Sequence, residues 1–326
     1  MTQRRSFNKN YLQQEFDKLN ATAEQPMTLY LIGGGAMAFY GLKVATKDID
    51  IILASQDDLN NLQTTLKEIG YKEPNPILIT RAYNKMQTNA LLENQDGFRW
   101  DLFLSKVCNA LTLSGQMQKR ATLLYQGTHL KVLMASKEDL FLFKGITERE
   151  ADLEDMKILA QSGLNWETIT QECKKQSEVS GVCWEDALYQ NLVDLKTKYG
   201  IESPIEKPLR KVAERKIIET TLIRQIQKGN QTVQSIAKEI KEPQSFIREE
   251  LKQLADRGLI RIDRSNKPHK YLLNEKPTKN IPVPNAPQKE AEKWLPTNKG
   301  NKDLKSLAER AATEDAVSRA KRRNQL

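Results

Sequence analysis

The stretch Leu29–Leu53 reads LYLIGGGAMAFYGLKVATKDIDIIL. A short apolar run ends at three consecutive glycines, and the small-residue segment after them predicts one short helix. The chain then returns with Asp48-Ile49-Asp50 at the start of a second apolar run, which is typical of a strand. This stretch therefore predicts a strand, a glycine turn, a short helix and a second strand.

Two acidic residues and two glycines of this stretch are candidate site residues. Side chains at i and i+2 of a strand point to the same side, so Asp48 and Asp50 converge. Converging carboxylates repel each other, and a hard divalent cation such as Mg2+ is a common way to hold them together. A glycine turn before a helix exposes backbone N–H groups that suit phosphate, which makes Gly33 and Gly34 candidate phosphate ligands. Together these features indicate nucleotide chemistry.

The order strand, GG, short helix and T-x-D-I-D resembles the DNA polymerase β-like nucleotidyltransferase superfamily. The version here, G-G-G-A-M-A-F-Y-G-L-K-V-A-T-K-D-I-D, is most similar to the minimal and abortive-infection-type branches. Those branches often read GG-x-A and then G-x-R-x-T-x-D-hydrophobic-D. Lys43 stands where arginine is common, and glycine stands where many members have serine. The resemblance covers about the first half of the chain and implies an α+β fold, a mixed sheet with flanking helices.

The resemblance also implies a reaction and a two-metal Mg2+ site that uses an NTP as substrate. Asp101, in the run FRWDLFL, lies where the superfamily carries its third carboxylate. Asp48 and Asp50 would bind both ions, and Asp101 would hold the second and help to activate the attacking hydroxyl. Without the resemblance, Asp101 would be a polar residue at a strand end. The resemblance assigns nucleotide contacts to Lys43 besides the two glycines.

A second similarity lies in residues 138–155, EDLFLFKGITEREADLED. Related nucleotidyltransferases often carry E-D-L-hydrophobic-x-x-K and then R-x-x-D-hydrophobic-x-D on helices beside the active site. By resemblance, Lys144 would contact the nucleotide phosphates, and Arg149 or Asp152 would shape the pocket. The alternative is an exposed charged helix face with ordinary i,i+3 and i,i+4 pairs, which stays open for Lys144 and is adopted for Arg149, Asp152 and Asp155.

Composition narrows the class of partner and compartment. The chain has 326 residues, enough for two or three domains, and 51 Lys and Arg against 42 Asp and Glu give a net charge of +9. This excess favours a polyanionic partner, nucleic acid first, and simple solubility is the alternative. The three cysteines lack metal-ligand spacing, which favours a reducing compartment. The sequence also has no apolar run of membrane length and no signal-peptide core. These features predict a cytoplasmic protein with no membrane partner.

Residues 210–275 resemble archaeal and bacterial winged helix-turn-helix domains. The pattern gives a helix, a short second helix, a third helix that ends in L-x-x-L-x-x-x-G-L-I, and a basic strand–turn–strand wing. In the nucleic-acid-binding interpretation the third helix faces the groove and the wing contacts phosphates, through Gln244, Ser245, Arg248, Arg264, Lys267 and Lys270. Glu249 and Glu250 reduce the positive potential of that helix, so docking to another protein is the alternative.

The chain beyond Glu275 is rich in Pro, Asn and Lys and predicts a flexible linker followed by a helix-prone, basic end. That end predicts a nucleic-acid-binding tail, a protein-binding peptide or a solubilising tail. The predicted domains are a catalytic core, a helical extension, a winged helix-turn-helix domain and a disordered basic tail, at residues 1–135, 136–205, 210–275 and 276–326.

The leading functional hypothesis is a Mg-dependent enzyme that moves an NMP from an NTP to a macromolecular acceptor. An RNA 3′ end, with that of tRNA first, is the leading candidate acceptor, while a protein side chain or a small molecule stays open. The resemblance adds a toxin or defence role as a further hypothesis. The alternative is a DNA-binding winged-helix regulator, or a replication or processing accessory, whose nucleotidyltransferase domain only binds nucleotide. A scaffold that recruits a partner through its tail is a third hypothesis.

Overall fold

The computed structural model describes residues 4–74, 88–146 and 150–274. The run Ile77-Leu78-Ile79, which is apolar and predicts a short strand, lies outside these residues, as do Arg149 and the tail 276–326. The described residues form two compact units, one within Met1–Glu172 and Leu195–Glu202 and the other within Cys173–Asp194 and from Ser203 onward. Across the described ranges, no helix has both the length and the apolar character that crossing a membrane requires.

A mixed sheet forms the centre of the first unit. Its six strands are β1 Met27–Ile32, β2 Asp48–Leu53, β3 Ala90–Glu93, β4 Arg99–Leu104, β7 Thr122–Gln126 and β8 Leu130–Met134. A separate two-stranded sheet consists of β5 Lys106–Val107 and β6 Leu111–Thr112. The order across the six-stranded sheet is β3-β4-β2-β1-β8-β7. β2 runs antiparallel to β1 and parallel to β4, and β1 runs parallel to β8. This arrangement places β2 in the interior of the sheet.

Helices flank the sheet, as the predicted α+β class requires. They are α1 Lys9–Thr22, α2 Gly33–Phe39, α3 Gln56–Glu68, α4 Gly115–Arg120, α5 Lys137–Gly145 and α6 Glu150–Gln161. Two further helices, α7 Trp166–Ser180 and α8 Trp184–Tyr199, come next along the chain. The pair Asp57-Asp58 ahead of a helical apolar pattern predicts that these residues cap α3, and that prediction is wrong. Ser55 is the N-cap and accepts a hydrogen bond from the Asp58 N–H, because a hydroxyl three residues upstream reaches that donor.

The hydrophobic core fixes the orientation of β2. Ile49 and Ile51 are fully buried, while Asp48 and Asp50 are only partly buried on the opposite side. Phe16 and Trp100 pack edge to face with ring centroids 6.1 Å apart, so apolar side chains from α1 and β4 fill the same core. Burial of the isoleucines therefore determines which face of the sheet carries the two carboxylates.

The second unit ends in three helices and a hairpin, with the bounds α9 Glu206–Gln227, α10 Val233–Ile240, α11 Gln244–Asp256, β9 Ile260–Asp263 and β10 Lys270–Leu273. The strands pair antiparallel, and Ile236, Ile247 and Leu251 are fully buried in a shared core. The residues Glu206-Lys207-Pro208 are typical of a linker, and with the helical pattern after them they predict that α9 begins near Val212. The helix begins at Glu206 instead, because proline is tolerated in the first turn, where its missing N–H has no helical partner to lose.

Candidate functional site

The three predicted carboxylates lie on two neighbouring parallel strands. Asp50 on β2 is the register partner of Asp101 on β4, and Asp48 is the partner of Arg99. Register partners on adjacent strands point to the same face of a sheet, so Asp50 and Asp101 project side by side. Asp101 is 1% exposed, whereas Asp48 and Asp50 are partly buried. The register thus brings a fully buried carboxylate beside a partly accessible one.

The first carboxylate of the set, Asp48, is held by Arg4, a residue outside the sequence motif. Arg4 Nη1 donates to Asp48 Oδ2 at 3.1 Å, and its Nη2 donates to the Lys47 carbonyl at 2.9 Å. As the side chains stand, no three His, Cys, Asp or Glu in residues 4–74, 88–146 and 150–274 are grouped so as to hold a metal ion. A guanidinium therefore occupies one side of the predicted cation site.

The three glycines form the first turn of α2 and not a separate turn before it, and this glycine turn packs directly against Asp50. Ile32, the last residue of β1, is the register partner of Asp50, and the turn begins at the next residue. Gly33 has φ +64°, and a Cβ at this position would overlap Asp50 Oδ2. A Cβ at Gly34 would lie 2.7 Å from Thr46 Oγ1. A side chain at either position would overlap a neighbouring side chain, so both positions favour glycine. Gly33 also has a left-handed backbone, which favours glycine independently.

The two predicted nucleotide-binding lysines meet at a single aspartate. Lys43 Nζ lies 2.6 Å from Asp155 Oδ1, and Lys144 Nζ lies 3.0 Å from Asp155 Oδ2. Lys144 also lies 2.6 Å from Asp152 Oδ1. The interpretation of Asp152 and Asp155 as an exposed helix face is wrong, since both are buried. Their three-residue spacing places both on one face of α6, and that face packs inward.

This lysine–aspartate network lies beside the glycine turn. The position of a Cβ at Gly34 is 3.9 Å from Lys43 Nζ. The Lys43 side chain keeps 31% of its surface exposed and that of Lys144 keeps 13%, against 5% for Asp155. The network therefore directs two partly accessible ammonium groups to this part of the first unit while Asp155 stays inside.

Replacing Asp155 with asparagine is expected to lower the free energy of unfolding by about 2 kcal/mol, because two ammonium groups lose a buried counter-charge. Glu154 is exposed on the same helix, so Glu154→Gln is a matched control that should change stability by less than about 0.5 kcal/mol. Urea unfolding of both variants measures the difference. Equal values for the two variants would contradict a structural role for the network.

The helix α5, which carries Lys144, is fixed at its N-terminus by a second charged cluster. Residues 136–139, Ser-Lys-Glu-Asp, are typical of a helix N-terminus, and Ser136 is the N-cap, whose Oγ accepts from the Asp139 N–H. Arg120 donates to Asp139 and also to Glu172 at 2.8 Å. Burial raises the pKa of Asp139, and the hydrogen bonds from Arg120 and Ser136 act in the opposite direction. This cluster anchors the helix that positions Lys144.

The residues predicted to bind nucleic acid are all exposed in the second unit. Gln244, Ser245 and Arg248 lie in the first turns of α11. Arg264 and Lys267 lie in the turn of the β9–β10 hairpin, and Lys270 is the first residue of β10. Glu249 is exposed beside Arg248, as the sequence implied. The geometry thus presents two groups of polar and basic side chains, one on a helix and one on a hairpin.

A comparison with known protein families gives one match. The model of a family described as nucleotidyltransferase of unknown function (DUF6036) matches residues 10–202. No curated protein matches the sequence significantly. The match spans the whole sheet, both predicted lysines and the three carboxylates, and it confirms the expectation of a nucleotidyltransferase-type domain with a transferase activity of unspecified substrate. The mixed sheet with its flanking helices fits that fold.

Proposed function

The chain belongs to this family of nucleotidyltransferases of unknown function, and we propose that it transfers an NMP from an NTP to a macromolecular acceptor. The observation that carries the proposal is the register of Asp50 and Asp101 beside the Gly33 turn. In the reaction, an acceptor hydroxyl attacks the α-phosphorus, the bond from that phosphorus to the β-phosphate breaks, and pyrophosphate leaves. Asp101 accepts the proton of the attacking hydroxyl.

The three carboxylates fit Mg2+, because they supply only oxygen ligands, the type that this hard cation prefers. Asp48 and Asp50 would hold both ions of a two-metal site, and Asp101 would hold the second. When bound, Mg2+ offsets the charge that develops on the transferring phosphate and the leaving pyrophosphate. Asp50 and Asp101 already project from one face, whereas Asp48 has to release Arg4 to take part.

The lysines and glycines provide the triphosphate site of the proposed enzyme. Lys43 and Lys144 converge on Asp155 near Gly34, and their ammonium groups attract phosphate oxygens by charge. In this proposal the backbone N–H groups of Gly33 and Gly34, in the first turn of α2, bind the phosphate oxygens. Asp155 keeps both lysines directed toward the same place before the nucleotide arrives.

We propose a winged helix-turn-helix domain in the second unit and RNA, with a tRNA 3′ end first, as the acceptor. Three helices followed by an antiparallel hairpin support the domain, and exposed basic residues on the hairpin support a nucleic-acid partner. The net charge of +9 is consistent with that partner. A toxin or defence role belongs to the same proposal, because NMP added to a tRNA 3′ end would block aminoacylation.

Incubation with each α-labelled NTP, Mg2+ and total RNA tests the proposed function, beside a variant with Asp48→Ala and Asp50→Ala. Label that enters RNA only with the intact carboxylates would support RNA nucleotidyl transfer and identify the nucleotide. Label on the protein would move the acceptor to a protein side chain. Nucleotide binding without transfer to any acceptor would favour the DNA-binding regulator.

Replacing Arg264, Lys267 and Lys270 together with glutamine is expected to weaken tRNA binding and reduce the slope of log affinity against log salt by about 2 to 3. Each of the three substitutions removes one phosphate contact in the proposed complex. The matched control replaces Lys207 and Lys211, which are exposed in the first two turns of α9, and Lys228, its exposed C-cap, and changes the charge equally. Fluorescence anisotropy with labelled tRNA measures the affinity of both triple variants. Equal losses of affinity would show that the hairpin does not contact tRNA.

A further inference from the structure

The N-terminal arm, residues 4–7, is anchored to the loop that precedes β2. Phe7 pairs with Thr46 through two backbone hydrogen bonds, with N···O distances of 2.7 and 2.8 Å. The Phe7 side chain is 3% exposed, and its ring centroid lies 4.5 Å from that of Tyr11 and 4.9 Å from that of Phe98. This apolar anchor fixes the position from which the arm reaches the carboxylates.

Arg4 uses that anchor to bind the first carboxylate of the site. Its guanidinium donates both to Asp48 Oδ2 and to the neighbouring Lys47 carbonyl. The Arg4 side chain is 26% exposed and that of Asp48 is 27% exposed, so water screens the pair only in part. Arg4 is thus a tethered cation at a carboxylate that the proposed function assigns to Mg2+.

We propose that the arm is an autoinhibitory device in which Arg4 and the divalent cation bind Asp48 alternately. The inference rests on the proposed function, because it requires Asp48 to be a metal ligand. A guanidinium and a divalent cation on one carboxylate repel each other, so binding of one disfavours the other. Tethering through Phe7 gives Arg4 a high effective concentration at Asp48, so free cation has to compete with it. Arg4 leaves Asp48 while Phe7 stays in place.

The neighbouring arginine provides a matched control on the same arm. The Arg5 side chain is 69% exposed, lies 4.0 Å from Asp96 and has its guanidinium 5.4 Å from the centre of the Phe7 ring, on the anchor and not at Asp48. Arg5→Gln therefore removes the same charge from the same arm and leaves the contact with Asp48 intact. Asp50→Asn is the control for the cation site itself.

Titration of the full chain with Mn2+, followed by electron paramagnetic resonance, tests the inference. Arg4→Gln is expected to bind Mn2+ roughly five- to tenfold more tightly than the wild type, since a partly screened competing charge is removed, while Arg5→Gln should differ by less than about twofold. Arg4→Lys keeps the charge but loses the two-pronged donor geometry, so its affinity should fall between those of the wild type and Arg4→Gln.

Two results would overturn the inference, and they are distinguishable. Equal Mn2+ affinity in the wild type and Arg4→Gln, with binding lost in Asp50→Asn, would remove the arm and keep the cation site. Mn2+ binding that is absent in all variants, or unchanged in Asp50→Asn, would contradict both the proposed cation site and the proposed role of the arm. Thermal unfolding gives a second readout, because Mn2+ should raise the melting temperature more in Arg4→Gln than in Arg5→Gln.

Discussion

Asparagine in place of Asp50 is expected to reduce nucleotidyl transfer by about a thousandfold or more, with the fold retained. Asparagine has nearly the shape of aspartate, so the packing against Gly33 is preserved while the negative charge is lost. Asp50 is the register partner of Asp101 and forms the centre of the proposed cation site. Without its charge, the site loses a ligand and much of the attraction that holds a divalent cation there.

The rate of α-labelled NMP transfer under single-turnover conditions measures this effect. Asp57→Asn makes the same chemical change at an exposed position in the first turn of α3 and should leave the rate within about twofold of the wild type. Circular dichroism and urea unfolding establish that both variants fold. A rate for Asp50→Asn above a tenth of the wild-type rate would remove Asp50 from the catalytic machinery.

Replacing Gly33 with alanine is expected to cost about 3 kcal/mol of unfolding free energy, from a left-handed backbone and from overlap with a neighbouring side chain. The added Cβ would occupy the space of Asp50 Oδ2, and φ is +64°. The Asp50 carboxylate would then have to turn away from Asp101. Transfer should consequently fall together with stability.

The variant Gly41→Ala separates the cost of the left-handed backbone from the cost of the overlap with a neighbouring side chain. Its φ is +72°, but a Cβ there would meet no atom within 4 Å, so Gly41→Ala carries only the backbone cost of about 1 kcal/mol. Urea unfolding of the two alanine variants, with the transfer rate of each, compares strain alone with strain plus overlap. Equal losses of stability, with activity retained in both, would show that the turn does not press against the carboxylate.

The centre of the fold follows from local sequence. Apolar runs, a glycine turn and short helix-forming residues give β1, α2 and β2 without long-range information, because each depends on neighbouring residues. Ser136 was likewise predictable as a helix N-cap, since its partner lies three residues away. The position of Asp101 came from resemblance, because no local pattern reveals which residue of β4 will lie opposite Asp50.

The contacts that the sequence analysis missed join distant segments. Arg4 and Asp48 are 44 residues apart in the sequence, and more than half of the sequence of the first unit separates Lys43 from Asp155. Charged residues on a helix usually face solvent, so Asp152 and Asp155 gave no sign of burial apart from their spacing. Their burial depends on lysines from other elements that offset the charge, and composition and periodicity do not encode such partners.

The central claim is that Asp48, Asp50 and Asp101 form one cation site beside the Gly33 turn. Anomalous diffraction from crystals grown with Mn2+ and a non-hydrolysable NTP tests it most directly. The account predicts a manganese peak between Asp50 and Asp101, with Asp48 turned from Arg4 to the metal and the triphosphate between Lys43 and Lys144. A nucleotide and manganese bound elsewhere, with Arg4 still on Asp48, would contradict it.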